Sequence, residues 1–161
     1  MAGRFMYNKK YPTMNIVLRP MTLADTHAVC LLTGQLGYPS DTSAMQQRIA
    51  AVLDHPDHCL YVAVADERVA GWVHGFHSLT LESGPFVAIA GLVVDENCRR
   101  SGIGKALVQQ VAAWPASLRC GRVRVRCNAV RADTHRFYRA LGFREVKEQK
   151  VFDMALGTNQ S

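Results

Sequence analysis

Apolar positions along this chain follow two rhythms, and each change of rhythm marks a predicted element. Asn15 to Pro20, with Ile16-Val17-Leu18 at its centre, reads as a first strand ended by proline. Thr22-x-x-Asp25 resembles a capping arrangement, and a helix is predicted from there to about Leu36, stopped by Gly37-Tyr38-Pro39. Ser40 or Asp41 caps a second helix through about Asp54, and His55-Pro56-Asp57 is a turn. Cys59 to Ala65 alternates, Asp66-Glu67-Arg68 turns, and Val69 to Leu79 returns as the second arm of a hairpin. After the turn Glu82-Ser83-Gly84-Pro85, the run Phe86 to Val94 reads as a buried strand. Ile103, Leu107, Val111 and Trp114 form one apolar stripe of a helix that Pro115 ends or kinks. Gly121 to Cys127 alternates valine with arginine, Arg131 to Leu141 reads as a short helix stopped by Gly142, and Phe143–Val146 with Val151–Leu156 predicts a closing hairpin. The resulting order is β-α-α-β-β-β-α-β-α-β-β. It packs naturally as an α/β (α+β) arrangement, a mixed sheet with helices on both faces.

The chain has 161 residues, 48% of them hydrophobic and 20% charged, which fits one domain with a sizeable core. That domain is expected over residues 14–156, after a basic extension or vector-derived remnant at 1–13 and before a short tail at 157–161. No apolar run approaches the ~20 residues of a membrane helix. The five cysteines are odd in number and lack Cys-x-x-Cys spacing. This argues against a disulfide framework and a zinc site, and for a reducing, cytoplasmic setting. No metal-ligand spacing is visible. The net charge of +6 favours polyanionic ligands, either nucleic acid or a phosphate-bearing cofactor.

The most informative stretch is Arg99-Arg100-Ser101-Gly102-Ile103-Gly104, between the buried strand and the following helix. A helix start offers unpartnered N–H groups and partial positive charge, the usual setting for a phosphate. Gly102 and Gly104 remove side chains from the approach, and Arg99 and Arg100 add charge. The Gly-Lys-Ser/Thr ending of a Walker loop is absent, as is the Gly-x-Gly-x-x-Gly dinucleotide pattern.

The spacing Arg-x-x-Gly-x-Gly resembles the pyrophosphate loop of the GNAT N-acetyltransferase superfamily. Other segments in the right order carry the same resemblance. Ile16 to Pro20 with Thr22-x-x-Asp25 is similar to its opening, and Val69-Ala70-Gly71-Trp72-Val73 to its third strand. Leu92-Val93-Val94 before the turn resembles its cofactor motif, and Thr134 to Phe143 its late helix-to-strand signature. The resemblance implies a GNAT-like, mostly antiparallel central sheet and direct attack of an amine on the thioester of acetyl-CoA in a ternary complex. It implies that a backbone N–H at Leu92, Val93 or Val94 meets the developing oxyanion, and that this segment bonds the pantetheine arm. Arg99, Arg100, Ser101, Gly102, Ile103, Gly104 and Lys105 would hold the pyrophosphate, and Asn128 would contact pantetheine. Tyr138 would protonate the leaving thiolate and touch the cofactor.

One departure stands out. Where many family members carry a proton-relaying glutamate on the fourth strand, this chain has Ala90. His74, His77 and Glu82 lie nearby in sequence, and each has an ordinary structural or solvated reading beside a catalytic one; for His135, packing or cofactor contact is favoured over base chemistry. For the acceptor, the resemblance points to the first two helices and the third-to-fourth strand turn, where Tyr38, Asp41 and Glu82 stand out. The expected acceptor is a primary amine of a small molecule, aminoglycoside- or polyamine-like. The alternatives are a protein or peptide amine, a non-catalytic acetyl-CoA binder, and a basic nucleic-acid module built on Arg119 to Arg126. The last is disfavoured because stacking aromatics are missing from that stretch. A homodimer through the last strands is a further implication of the family.

Overall fold

The structure is a computed structural model that describes residues 14–127 and 132–157. Five strands, β1 (Ile16–Pro20), β2 (His58–Ala65), β3 (Arg68–Thr80), β4 (Gly84–Val94) and β5 (Val123–Val125), form one sheet in the order β1-β2-β3-β4-β5. Neighbours are antiparallel from β1 to β4, and β5 joins β4 in parallel. The parallel step needs a crossover, which α3 (Ile103–Ala112) and α4 (Pro115–Cys120) supply. Helices α1 (Thr26–Gln35) and α2 (Thr42–Leu53) link β1 to β2. The chain divides into two compact units, with the boundary between Arg126 and Cys127.

In the first unit both sheet faces are covered, as the alternation in β2 and β3 requires. On one face Met21, Val29, Met45 and Ile49 pack against Val62, with Leu60 and Trp72 at the margin. On the other, Gly71 and Gly75 let α3 lie close. A Cβ on Gly71 would fall 2.9 Å from the Val93 carbonyl oxygen and 3.1 Å from Ile103, and one on Gly75 would fall 2.9 Å from Cys59 Sγ. Leu107 and Val111 of α3 are fully buried here, each worth about 1.5–3 kcal/mol of transfer free energy. Pro115 acts as expected: α3 stops at Ala112, Trp114 is extended, and Pro115 takes the first position of α4, where its missing N–H costs nothing. That short second helix is not evident from the apolar pattern.

The start of α1 is fixed by charge. Asp25, only 5% exposed, takes a bidentate pair of 2.8 Å hydrogen bonds from Arg19 and a third from the Thr22 N–H at 2.8 Å. The Arg19 guanidinium holds this carboxyl below the ordinary aspartate range against the opposing effect of burial. Asp41 is the cap of α2, accepting from the Ala44 N–H at 2.7 Å.

In the second unit α5 (Ala132–Ala140) ends in a Schellman motif. The Phe143 N–H donates to the Tyr138 carbonyl and the Gly142 N–H to that of Arg139, both at 3.0 Å, with Gly142 at φ 95°. The accompanying apolar contact is Phe143 against Tyr138, with ring centroids 5.4 Å apart. The expected closing hairpin is not formed: among the described residues, 143–157 contain no strand. Its two arms are separated by a charged run through Lys150, and Val151, Phe152, Met154 and Leu156 are all exposed. A two-stranded ribbon without a third strand or a packed face is marginal.

Candidate active site

The centre of the first unit's sheet is irregular where the cofactor was expected. In the β3–β4 ladder His74 pairs with Gly91 and Gly75 with Ile89, so Ala90 is the extra residue of a bulge. β5 pairs with β4 only from Val87 to Ile89. Beyond the bulge, Gly91 to Val94 have no strand partner on that side among the described residues. The two strands therefore part at Ala90 and leave a wedge with one open main-chain edge.

Ladder parity decides which groups face it. The Asp95 N–H donates to the Ala70 carbonyl at 2.8 Å, so Asp95 faces β3. Antiparallel alternation turns Val93 the same way and aims the N–H groups of Leu92 and Val94 into the wedge. Of the three residues singled out in sequence, two have the outward orientation. Trp72 lies across Gly91, where an added Cβ would come within 2.7 Å of Cη2. Its Nε1 is a buried donor with no partner among the described residues.

The following turn gathers main-chain N–H groups. Asp95 caps a short 3-10 turn, Glu96–Cys98, by accepting from the Asn97 N–H at 3.0 Å. Arg100 and Gly102 both adopt left-handed backbone, φ 64° and 85°, on either side of Ser101. Ser101 Oγ donates to the Cys98 carbonyl, which pulls the turn closed. Such alternation curls successive N–H groups into a concavity, and Gly102 leads directly into α3. The Ala106 N–H is the first of the helix bonded to this turn, at 3.0 Å to the Gly102 carbonyl, which leaves those of Ile103, Gly104 and Lys105 as helix-start donors. The side chains of Arg99, Arg100 and Lys105 are exposed.

The expected acceptor residues lie at the surface of the first unit. Tyr38 is 65% exposed between α1 and α2, and Glu82 is exposed in the β3–β4 turn. Asp41 is exposed too, but its carboxylate is engaged in capping α2. The arginines of β5 are also occupied: Arg124 and Arg122 stand over the Phe86 ring at 4.3 and 5.5 Å, and Arg122 donates to the Ser83 carbonyl. In the second unit burial pushes the Tyr138 hydroxyl up to about 12, so it holds its proton at neutral pH. Asn128 lies outside the described residues.

One pairing was not anticipated. His58 Nδ1 and His74 Nε2 are 2.8 Å apart, with the rings stacked at 5.1 Å. Burial pushes His74 down to about 4, and it also holds His58 below the ordinary imidazole value.

Comparison with known proteins gives this geometry its class. The profile of the "Acetyltransferase (GNAT) family" matches residues 26–143, and the chain belongs to that family. It is an acyl-CoA-dependent N-acetyltransferase with acetyl-CoA as the donor. It is 26% identical over 145 residues to aminoglycoside N(6')-acetyltransferase type 1 of Stenotrophomonas maltophilia, which spans 86% of this chain and 93% of that protein. Its fold is similar to that of aminoglycoside 6'-N-acetyltransferase AAC(6')-Ih from Acinetobacter baumannii, with TM-score 0.77 and 20% identity, covering 89% of this chain and 100% of that one. It is likewise similar to AAC(6')-Iy in complex with CoA, with TM-score 0.79 and 19% identity, covering 89% and 97%. Among the described residues no helix is long and apolar enough to cross a membrane, and no group of metal-ligating side chains converges.

Proposed function

We propose that the acceptor is a primary amine on a small polycationic molecule of the aminoglycoside or polyamine kind, which attacks the acetyl thioester directly in a ternary complex. The observation that carries this reading is the match, over nearly the whole of both chains, to an aminoglycoside N(6')-acetyltransferase. The N–H groups of Leu92 and Val94 receive the carbonyl oxygen as charge develops on it, a role that rewards donors already fixed in place. The turn from Arg99 to Lys105 receives the pyrophosphate. Exposed Tyr38 and Glu82 give a cationic sugar or polyamine a stacking surface and a carboxylate.

Tyr138 supplies the proton that the departing thiolate takes up, since its buried hydroxyl is protonated at neutral pH. A placed acid adds ~10²–10⁴-fold to the rate, so Tyr138→Phe lowers kcat more than it raises KM for acetyl-CoA. An unchanged kcat at saturating substrates removes Tyr138 from the chemistry. The acceptor itself is tested by following CoA release with aminoglycosides, linear polyamines and lysine-containing peptides. Turnover of the first two classes supports the proposal. Turnover of peptides alone replaces it with a protein acceptor.

A further inference from the structure

Among the described residues, the β4 segment at the bulge brings no base to the wedge. Ala90, at the bulge, brings no titratable side chain, and its neighbours Ala88 and Gly91 bring none either. An amine that arrives as an ammonium still has to shed a proton before its lone pair can attack.

A titratable group lies across the ladder on β3. His74 pairs with Gly91, the residue between the bulge and Leu92, so their backbones lie about one cross-strand spacing, ~5 Å, apart, with the Trp72 indole lying across Gly91 on the same face. It shares a sheet face with Trp72 and Phe76, the face covered by α1 and α2 and opposite α3. Its Nε2 is held by His58 Nδ1 at 2.8 Å. Two neutral imidazoles at that distance share one proton, so one ring donates and the other accepts. His58 in turn lines a cleft of about 550 Å³ bounded by Leu23, Asp54 and Tyr61. The pair thus runs from the sheet beside the wedge to a second opening.

We propose that His74 takes the proton of the acceptor amine at Nδ1 through ordered water and passes it through His58 to the cleft. The transfer balances without any further reactant. As Nδ1 of His74 gains the ammonium proton, the Nε2 proton crosses to His58 Nδ1, and His58 Nε2 releases its own to water. The freed lone pair forms the C–N bond, the C–S bond breaks, and the second amine proton, released as the amide forms, balances the one the thiolate takes up. Both rings finish neutral in the opposite tautomers, with their mutual hydrogen bond intact, and proton exchange at the two outer nitrogens restores the start. His74 is the catalytic residue in this scheme and His58 the positioning residue behind it.

Few other charges face the pair. His55 sits edge-on to His58 at 4.7 Å, with Asp57 beyond it, and His77 lies 3.9 Å from Asp57. From the helices, His27 and Arg48 are exposed and Cys30 is hydrogen-bonded to the Ser40 carbonyl. From β5, Arg124 is stacked on Phe86.

This proposal rests on the small-amine reading, and two measurements keep their failures apart. The first is kcat against pH for the wild type, His74→Gln, His58→Gln and the control His77→Gln, with an amine the wild type turns over. His74→Gln loses ~10²-fold at pH 7, with the KM for acetyl-CoA unchanged, and recovers as the pH passes the amine's own pKa. His58→Gln loses less in the same pattern, and His77→Gln follows the wild type. Wild-type rates in both variants, or a loss equal at every pH, overturn the relay; should His74→Gln not fold, the half-buried His58 position decides. The second is a 15N spectrum of the histidine rings. The relay requires a bare Nδ1 on His74 and titration of the two rings as a coupled pair. A proton on that Nδ1, or independent titration, overturns it even if every small amine fails as an acceptor.

Discussion

On the proposed donor side, Leu92, Val94 and the turn from Arg99 to Lys105 offer main-chain N–H groups held by a ladder, a left-handed turn and a helix start. On the proposed acceptor side, Tyr38 and Glu82 offer exposed side chains on loops. The first kind of site depends on backbone path and is sensitive to any change that moves the path. The second depends on side-chain identity and tolerates change around it. Donor-side substitutions should therefore couple stability to acetyl-CoA binding, and acceptor-side substitutions should not.

The largest expected effect on stability is that of Gly71→Ala. Its Cβ meets the Val93 carbonyl oxygen at 2.9 Å, and backbone between two wedge-facing residues cannot step aside. A loss of about 1–3 kcal/mol in denaturant unfolding, with weaker acetyl-CoA binding, is expected. Stability lost with binding intact would break the coupling.

Asp25→Asn comes next, far from the wedge. It removes a cap and the partner of Arg19, at a cost of about 1–2 kcal/mol at pH 7, with no change in the KM for acetyl-CoA. Because the native carboxyl titrates below its unfolded value, its stabilisation is present above about pH 4 and lost as pH falls through the native value. His74 adds an earlier limb. Its native pKa of about 4 lies below the unfolded 6.5, so stability declines as pH drops between those two values. Thermal melts of His74→Gln should show a smaller upper limb, the remainder due to His58, and keep the lower one.

Gly102→Val probes the turn alone. A side chain at φ 85° costs about 1–2 kcal/mol, and opening the turn raises the KM for acetyl-CoA about tenfold, read by initial rates. The smallest effect belongs to Tyr38→Ala and Glu82→Gln. Each should shift the acceptor KM a few-fold and leave acetyl-CoA untouched, as expected of a single solvent-exposed contact.

The backbone of the turn after β4 was also the legible part. Glycines at 102 and 104 after an apolar strand announce a turn into a helix, and Gly102 takes left-handed backbone at φ 85° directly before Ile103. The Asp41 cap, the Asp66-Glu67 hairpin turn and the end of α3 before Pro115 were legible for the same local reasons. The histidine pair was not. Counting back from the turn, Ala65 faces Arg68 and Val64 faces Val69, a register that would set His58 opposite Gly75 and on the other face from His74. A bulge between Ala63 and Val64 slips the ladder by one residue and brings His58 opposite Phe76. Nothing in the alternation marks it, and one residue of slip reverses every later side chain. The closing hairpin failed in the opposite direction, since alternation between Val151 and Leu156 does not say that a partner strand is present.

Ala90 carries a consequence of its own. Were it deleted, Ile89 and Gly91 would become consecutive while still facing Gly75 and His74, so every other β3–β4 pair would survive. The sheet would become more regular, and no buried side chain would be lost, since Ala90 itself is exposed. What would go is the local bend that parts β4 from β5. On the proposed function that bend is what admits a ligand edge, and a shortened variant that melts higher while binding no acetyl-CoA would be its signature.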